Sequence, residues 1–178
     1  MSKKTRGHVI GVRREIDREK AIEVLLYITK KVPGMYQALK VIYFADRFHL
    51  ENYGRLIYGD RYIAMSHGPV PSVAYDIVKG AEGYPGEAAK VQGSEYFSMS
   101  NYRISGRRQP NLDLLSQSDI EAIDLAIERY GKKTFAALKR ASHDKAFHSA
   151  DPNDNISIED LVKSLPNGEK LLEHISNG

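Results

Sequence analysis

The stretch Tyr36–Tyr53, reading YQALKVIYFADRFHLENY, decides how the rest of the chain folds. At 3.6 residues per turn Leu39, Ile42 and Tyr43 share one face, Ala38, Val41, Ala45 and Phe48 share another, and Phe44 falls between them. From Val41 to Phe48 only Asp46 and Arg47 are polar. A helix with almost no polar face has nothing to give to water, so the pattern predicts a buried central helix. Asp46 then lies one turn beyond Ile42 and Tyr43 and one turn before Leu50. A carboxylate in such surroundings is costly unless it is paired or well hydrogen-bonded, so other parts of the chain must reach it.

Before this stretch, Asp17 is placed to cap a helix whose apolar positions Ala21, Ile22, Leu25 and Ile28 recur at helical spacing. Lys30 and Lys31 suit its C-terminal end, and Pro33-Gly34 stops it. After the central helix, which ends near Gly54, the segment Arg55–Ser72 changes character. Gly59-Asp60 signals a turn, and Arg61–Met65 has the composition of a strand. His67-Gly68 before Pro69 is non-helical, and Pro71-Ser72 opens a third helix with Val73, Ile77 and Val78 inward and Gly80 at its end.

The glycine-rich stretch Ala81–Gly93 reads as an exposed loop. Two short strands are expected at Glu95–Met99 and Asn101–Ser105, around a turn at Ser100-Asn101, joining the strand near Arg61 in one small antiparallel sheet. Ser118 and Glu121 suggest a capping box for a helix with Ile120, Ile123, Ile127 and Tyr130 on one stripe, closed by Gly131. Thr134–Ser142 follows, with Phe135 and Leu138 inward. Ser157 and Asp160 resemble another capping box before Leu161, Val162 and Leu165, and Pro166-Asn167-Gly168 precedes a last helix carrying Leu171, Leu172 and Ile175. The expected fold is mainly α: a single compact helical domain with a small antiparallel β-sheet or hairpin. Residues 1–14 read as a basic flexible arm, and residues 15–178 as that domain.

Composition narrows the function. A chain of 178 residues can bury a sizeable core, and its 42% hydrophobic content is ordinary for a globular protein. With no cysteine, there is no disulfide, no thiolate metal site and no cysteine nucleophile. No apolar run reaches the roughly 20 residues needed to cross a bilayer, and the N-terminus lacks a secretory core, so a cytoplasmic protein without a membrane partner is expected. The net charge of +3 argues weakly for nucleic acid, the basic arm Lys3, Lys4, Arg6, Arg13 and Arg14 being its main source. No phosphate-binding glycine loop, zinc-protease motif or nucleophile elbow is present, and neither a cofactor nor a metal is expected. Asp151, Asn153, Asn155 and Glu159 echo a calcium loop, yet Ile156 stands where glycine is needed and Val162 where glutamate belongs.

The richest polar set is Asp46, Arg47, His49, Arg55, Asp60, Arg61 and His67. One reading is a core network in which arginines neutralise Asp46 and Asp60. The other is a hydrolase or nucleotide-modifying enzyme in which an aspartate orients His49 or His67 as a base, although no nucleophile is aligned with either. A nucleic-acid-binding regulator using the basic arm is a third.

The run from Lys40 to Asp76 also resembles the signature of the Panacea domain, the SocA-like antitoxin family. The resemblance rests on Tyr43-Phe44-Ala45-Asp46, Tyr53-Gly54-Arg55, Gly59-Asp60-Arg61-Tyr62, Gly68-Pro69-Val70 and Tyr75. It implies a mainly helical bacterial or phage-associated protein with no established enzymatic activity and no catalytic residues to assign. Such a protein neutralises a cognate toxin by direct contact, and some members deliver the toxin to an ATP-dependent protease. Partner choice would then fall on segments outside the signature, where Tyr84, Tyr96, Phe97 and Tyr102 are candidate anchors, the alternative for Phe97 and Tyr102 being that they pack the hairpin onto the helices. Helix should exceed strand by about threefold or more, giving a far-UV circular dichroism spectrum dominated by helical minima.

Overall fold

The computed structural model describes residues 15–83 and 93–177; the arm 1–14, Tyr84 and most of the expected loop Ala81–Gly93 fall outside them. Helix α1 (Arg18–Thr29) starts where Asp17 accepts the Lys20 N–H at 2.9 Å. Helix α2 (Met35–Tyr53) is the central one: Ala38 through Asp46 are all buried, as are His49 and Leu50. It ends at Gly54, whose left-handed φ of 70° lets its N–H reach the Leu50 carbonyl. Strands β1 (Tyr62–Met65) and β2 (Gly68–Pro71) form an antiparallel hairpin that leads into α3 (Ser72–Ala81).

A helical turn α4 (Gly93–Tyr96) precedes a second hairpin, β3 (Phe97–Ser100) with β4 (Arg103–Gly106). After a 3-10 turn at Leu112–Leu114 come α5 (Gln117–Tyr130), α6 (Phe135–Ser142), α7 (Lys145–His148), α8 (Ile158–Lys163) and α9 (Gly168–Asn177). The architecture is mainly helical, with two small hairpins among the described residues. No helix among them is long and apolar enough to cross a membrane.

The core closes around α2, which packs most extensively on α5 and also touches α1, β2, α6 and α8. Phe44 stacks on Tyr130 of α5 at 3.7 Å and 8°. Completely burying an aliphatic or aromatic side chain of this size contributes about 1.5–3 kcal/mol. The fully enclosed Leu25, Leu26, Ile28, Ile42, Leu50, Ile77, Ile104 and Ile123 therefore supply much of the driving force.

Several expectations are corrected. The hairpins do not share a sheet: β1 pairs with β2, and β3 pairs with β4. The His67-Gly68-Pro69 segment is non-helical as expected, and the unexpected feature is strand β2, which Gly68 and Pro69 open. The turn of the second hairpin lies at Asn101-Tyr102, both with positive φ, and Glu95 and Tyr96, expected to be extended, end a helical turn instead. The cap of α5 is Ser116 with Asp119, two residues earlier than Ser118 and Glu121. A capping-box pattern can match at neighbouring serines, and only the chain's entry direction selects one. Phe135 lies 44% exposed and not inward, while Leu138, one turn on, is fully buried.

Gly68 shows why the first hairpin needs a glycine. Its φ is 109°, and a methyl group there would sit 2.5 Å from Ser142 Oγ and 3.0 Å from Lys40 Nζ. Gly68→Ala should therefore cost about 2–3 kcal/mol, from backbone strain plus overlap. Gly83→Ala, at φ 82° with nothing within 4 Å, should cost about 1 kcal/mol. Urea denaturation of the two variants checks the contrast.

Candidate functional site

The signature segment builds a junction of α2, β1 and α3 around two buried carboxylates. Asp46, 1% exposed, accepts the Ile57 N–H at 2.8 Å and the Tyr62 hydroxyl at 2.6 Å. Asp60, 3% exposed, accepts the backbone N–H groups of Arg61, Val73 and Ala74 and the hydroxyl of Tyr58. Val73 and Ala74 lie in the first turn of α3, whose own cap position is Pro71 and has no side chain able to accept. Asp60 thus caps α3 from 13 residues away, where a carboxylate also suits the helix dipole.

Burial pushes the Asp46 carboxyl up to about 7, with the Ile57 and Tyr62 hydrogen bonds pulling against it. Burial likewise raises Asp60, opposed by its N–H and Tyr58 donors. Both acids are held by neutral groups, and among the described residues neither has an arginine partner. The expected arginines are elsewhere. Arg47 donates to Ser164 Oγ at 2.6 Å and faces Asp144 at 3.4 Å. Arg55 reaches Asp119 at 3.3 Å, and Arg61 is exposed, meeting Asp60 only through its backbone N–H. His67 is exposed too, its ring against Phe135 and its carbonyl accepting from Tyr36. The buried Asp46 and the surface His67 form no dyad in this conformation.

The remaining signature residues are mostly structural. The buried Tyr43 donates to Asp144 at 2.7 Å, and Ala45 is fully enclosed. Tyr53 is 52% exposed and reaches Glu121 at 3.3 Å, Gly54 and Gly59 supply positive φ, and the Pro69 carbonyl accepts from Lys40 Nζ at 2.6 Å. Tyr75 is half-buried with Lys79 Nζ 5.7 Å from its ring centre.

Three buried polar groups were not legible as such. Lys40 is 1% exposed, and burial lowers its ammonium to about 7. The signal available is a single lysine set between Leu39 and Val41 in a helix whose burial the sequence predicts. Asp119, fully buried, is the carboxylate that does collect cations, with Lys20 at 2.6 Å and Arg55 at 3.3 Å. Burial alone would raise it, but Lys20 and the Ser116 N–H outweigh that and leave it below the usual range. His49 is fully buried: its Nδ1 lies 2.9 Å from the Arg55 carbonyl, which can only accept, so Nε2 is left to accept from Ser118 Oγ at 2.9 Å. Burial lowers His49, consistent with the neutral ring. Ser118 is also 3.0 Å from Ser116 Oγ, so the pair ties α2 to the start of α5.

Of the candidate anchors, Phe97 is fully buried in the core, which holds the second hairpin onto the helices and removes its ring from any contact surface. Tyr96 is half-buried with Arg108 Cζ 5.4 Å from its ring centre. Tyr102 is 76% exposed. Among the described residues no cluster of three or more His, Cys, Asp or Glu side chains is placed to hold a metal.

Comparison with known families matches residues 39–147 to the antitoxin SocA-like, Panacea domain model. No curated protein and no solved structure gives a significant match.

The junction predicts a distinctive pH dependence. The folded Asp46 carboxyl titrates near 7 and the unfolded one near 4, so between these values the native state holds the extra proton. Stability from this residue is therefore greatest at low pH and is lost as pH rises through that window. Asp46→Ala should cost on the order of 3 kcal/mol, because it strands the Ile57 N–H and Tyr62 hydroxyl. Asp46→Asn keeps one acceptor and should cost less, its deficit against wild type shrinking from pH 4 to pH 7. Urea denaturation across that range reads both effects, and a deficit independent of pH would refute the assignment.

Proposed function

We propose that this chain, which belongs to the family of SocA-like antitoxins built on the Panacea domain, neutralises a cognate toxin protein by direct stoichiometric contact. The family match carries the reading: it spans residues 39–147, the signature junction and most of the helices packed around α2. The geometry supports it. The polar groups of the junction are turned inward and paired with each other, so they serve the scaffold. What is left for recognition is the surface above that scaffold, and a toxin held there in the cytoplasm is blocked by being covered. Handing the bound toxin to an ATP-dependent protease is a later step that the same contact would permit.

The test is coexpression with the product of the adjacent reading frame. Growth arrest by that product should be relieved by this chain, and the two should purify together in equal amounts. Asp46→Asn, which alters only the scaffold, should still protect at a temperature where it remains folded. If the neighbouring product is harmless and the purified chain turns over a substrate in a His67-dependent manner, an enzyme replaces the antitoxin.

A further inference from the structure

The tip of the second hairpin is built against local preference. Asn101 and Tyr102 are its two central residues, at φ 49° and 60°, closed by the Ser100–Arg103 pair. Such a turn favours glycine at the second position, and a bulky side chain with left-handed φ is disfavoured. Tyr102 has no packing to offset this, since its side chain stands 76% exposed. Its backbone, by contrast, is fixed: the Tyr102 carbonyl accepts the Met35 N–H at 2.8 Å, and Ile104 N–H donates to the Pro33 carbonyl. The hairpin tip is thereby pinned to the start of α2 with its aromatic ring held out to solvent.

Beside it lies a depression of about 220 Å³ lined by Lys31, Arg103, Lys132 and Lys133 together with Val32, Pro33, Gly34, Gln37 and Gly131. No carboxylate lines it. Lys31 is 3.4 Å from Asp124, an exposed pair worth little, and Arg103, Lys132 and Lys133 have no carboxylate within 4 Å among the described residues. Lys132 and Lys133 follow the last turn of α5, where a cation also suits the helix dipole. That accounts for two of the cations but neither for Arg103, which sits on a strand, nor for the tyrosine beside it.

We infer that Tyr102 and the cationic depression form one docking surface for an acidic segment of a protein partner, with Tyr102 as the aromatic anchor. Tyrosine and arginine are the side chains that dominate contact energies when desolvated, and like charges crowded around one hollow are relieved by a carboxylate. A nucleic-acid strand needs a track of cations spaced along successive phosphates, whereas these converge on one hollow in a chain of net charge +3. The surface deepens the antitoxin reading and rests on it only for the partner being a toxin.

The test uses the full chain and a short fluorescein-labelled peptide of alternating glutamate and leucine, read by anisotropy, with a labelled single-stranded oligonucleotide as the second probe. The peptide should bind in low salt and weaken as salt rises. R103E with K132E should weaken it by about tenfold or more. Tyr102→Gly is the sharper variant: it places the preferred residue in the turn, so the thermal midpoint should hold or rise while peptide binding falls. A falling midpoint with unchanged binding would make Tyr102 structural and overturn the inference. So would equal binding by R103E with K132E, or tighter binding of the oligonucleotide than of the peptide. If the peptide binds as expected but coexpression gives no protection, the antitoxin reading fails and the surface stands. If protection is real and both variants protect as well as wild type, the toxin docks elsewhere and the surface is refuted as its site.

Discussion

The hydrogen bond from Tyr62 to Asp46 is the constraint on which the rest of this structure depends. At 2.6 Å, with the Ile57 N–H at 2.8 Å on the other oxygen, it ties the central helix to the irregular segment that follows. Asp60 continues the chain of ties by gathering the first turn of α3 and the Tyr58 hydroxyl. Two carboxylates, two tyrosines and four backbone N–H groups thus define the path from α2 through the first hairpin to α3. Because burial outweighs these hydrogen bonds, the acids retain a strong tendency to keep their protons.

The charged pairs do a different job. Asp119 draws Lys20 from α1 and Arg55 from the end of α2, and Glu23 on α1 is bound by Arg108 at 2.6 Å and by the Asn111 N–H. Each joins segments far apart in the chain. Removing one partner would leave a buried charge uncompensated, which costs more than the pair contributes when intact. These pairs therefore fix which helices meet more than they add to stability.

This division separates scaffold from surface. The carboxylates of the junction are paired inward, while Tyr102, Arg103, Lys132 and Lys133 are outward-facing and unpaired among the described residues. Substitution on the outer set leaves the junction bonds untouched. A chain built this way can exchange its outer residues without refolding its core.

Local period and local chemistry were enough to read the burial of α2, the caps at Asp17 and Ser157, and the end of the central helix near Gly54. They also placed Asp46 where partners were required. Only the tertiary structure decided who those partners are. A tyrosine hydroxyl and a backbone N–H serve as well as an arginine, and the choice depends on which atoms the fold brings within 3 Å. Arg55 and Asp119 are 64 positions apart, and no local pattern pairs them. Strand pairing was likewise beyond reach, since β2 carries two prolines and lacks the composition of a strand, so that only the fold supplies β1 with its partner. Phe97 is buried because its face of β3 meets the core, and Tyr102 is exposed because it sits in the turn at the tip of the hairpin, a difference that composition does not encode.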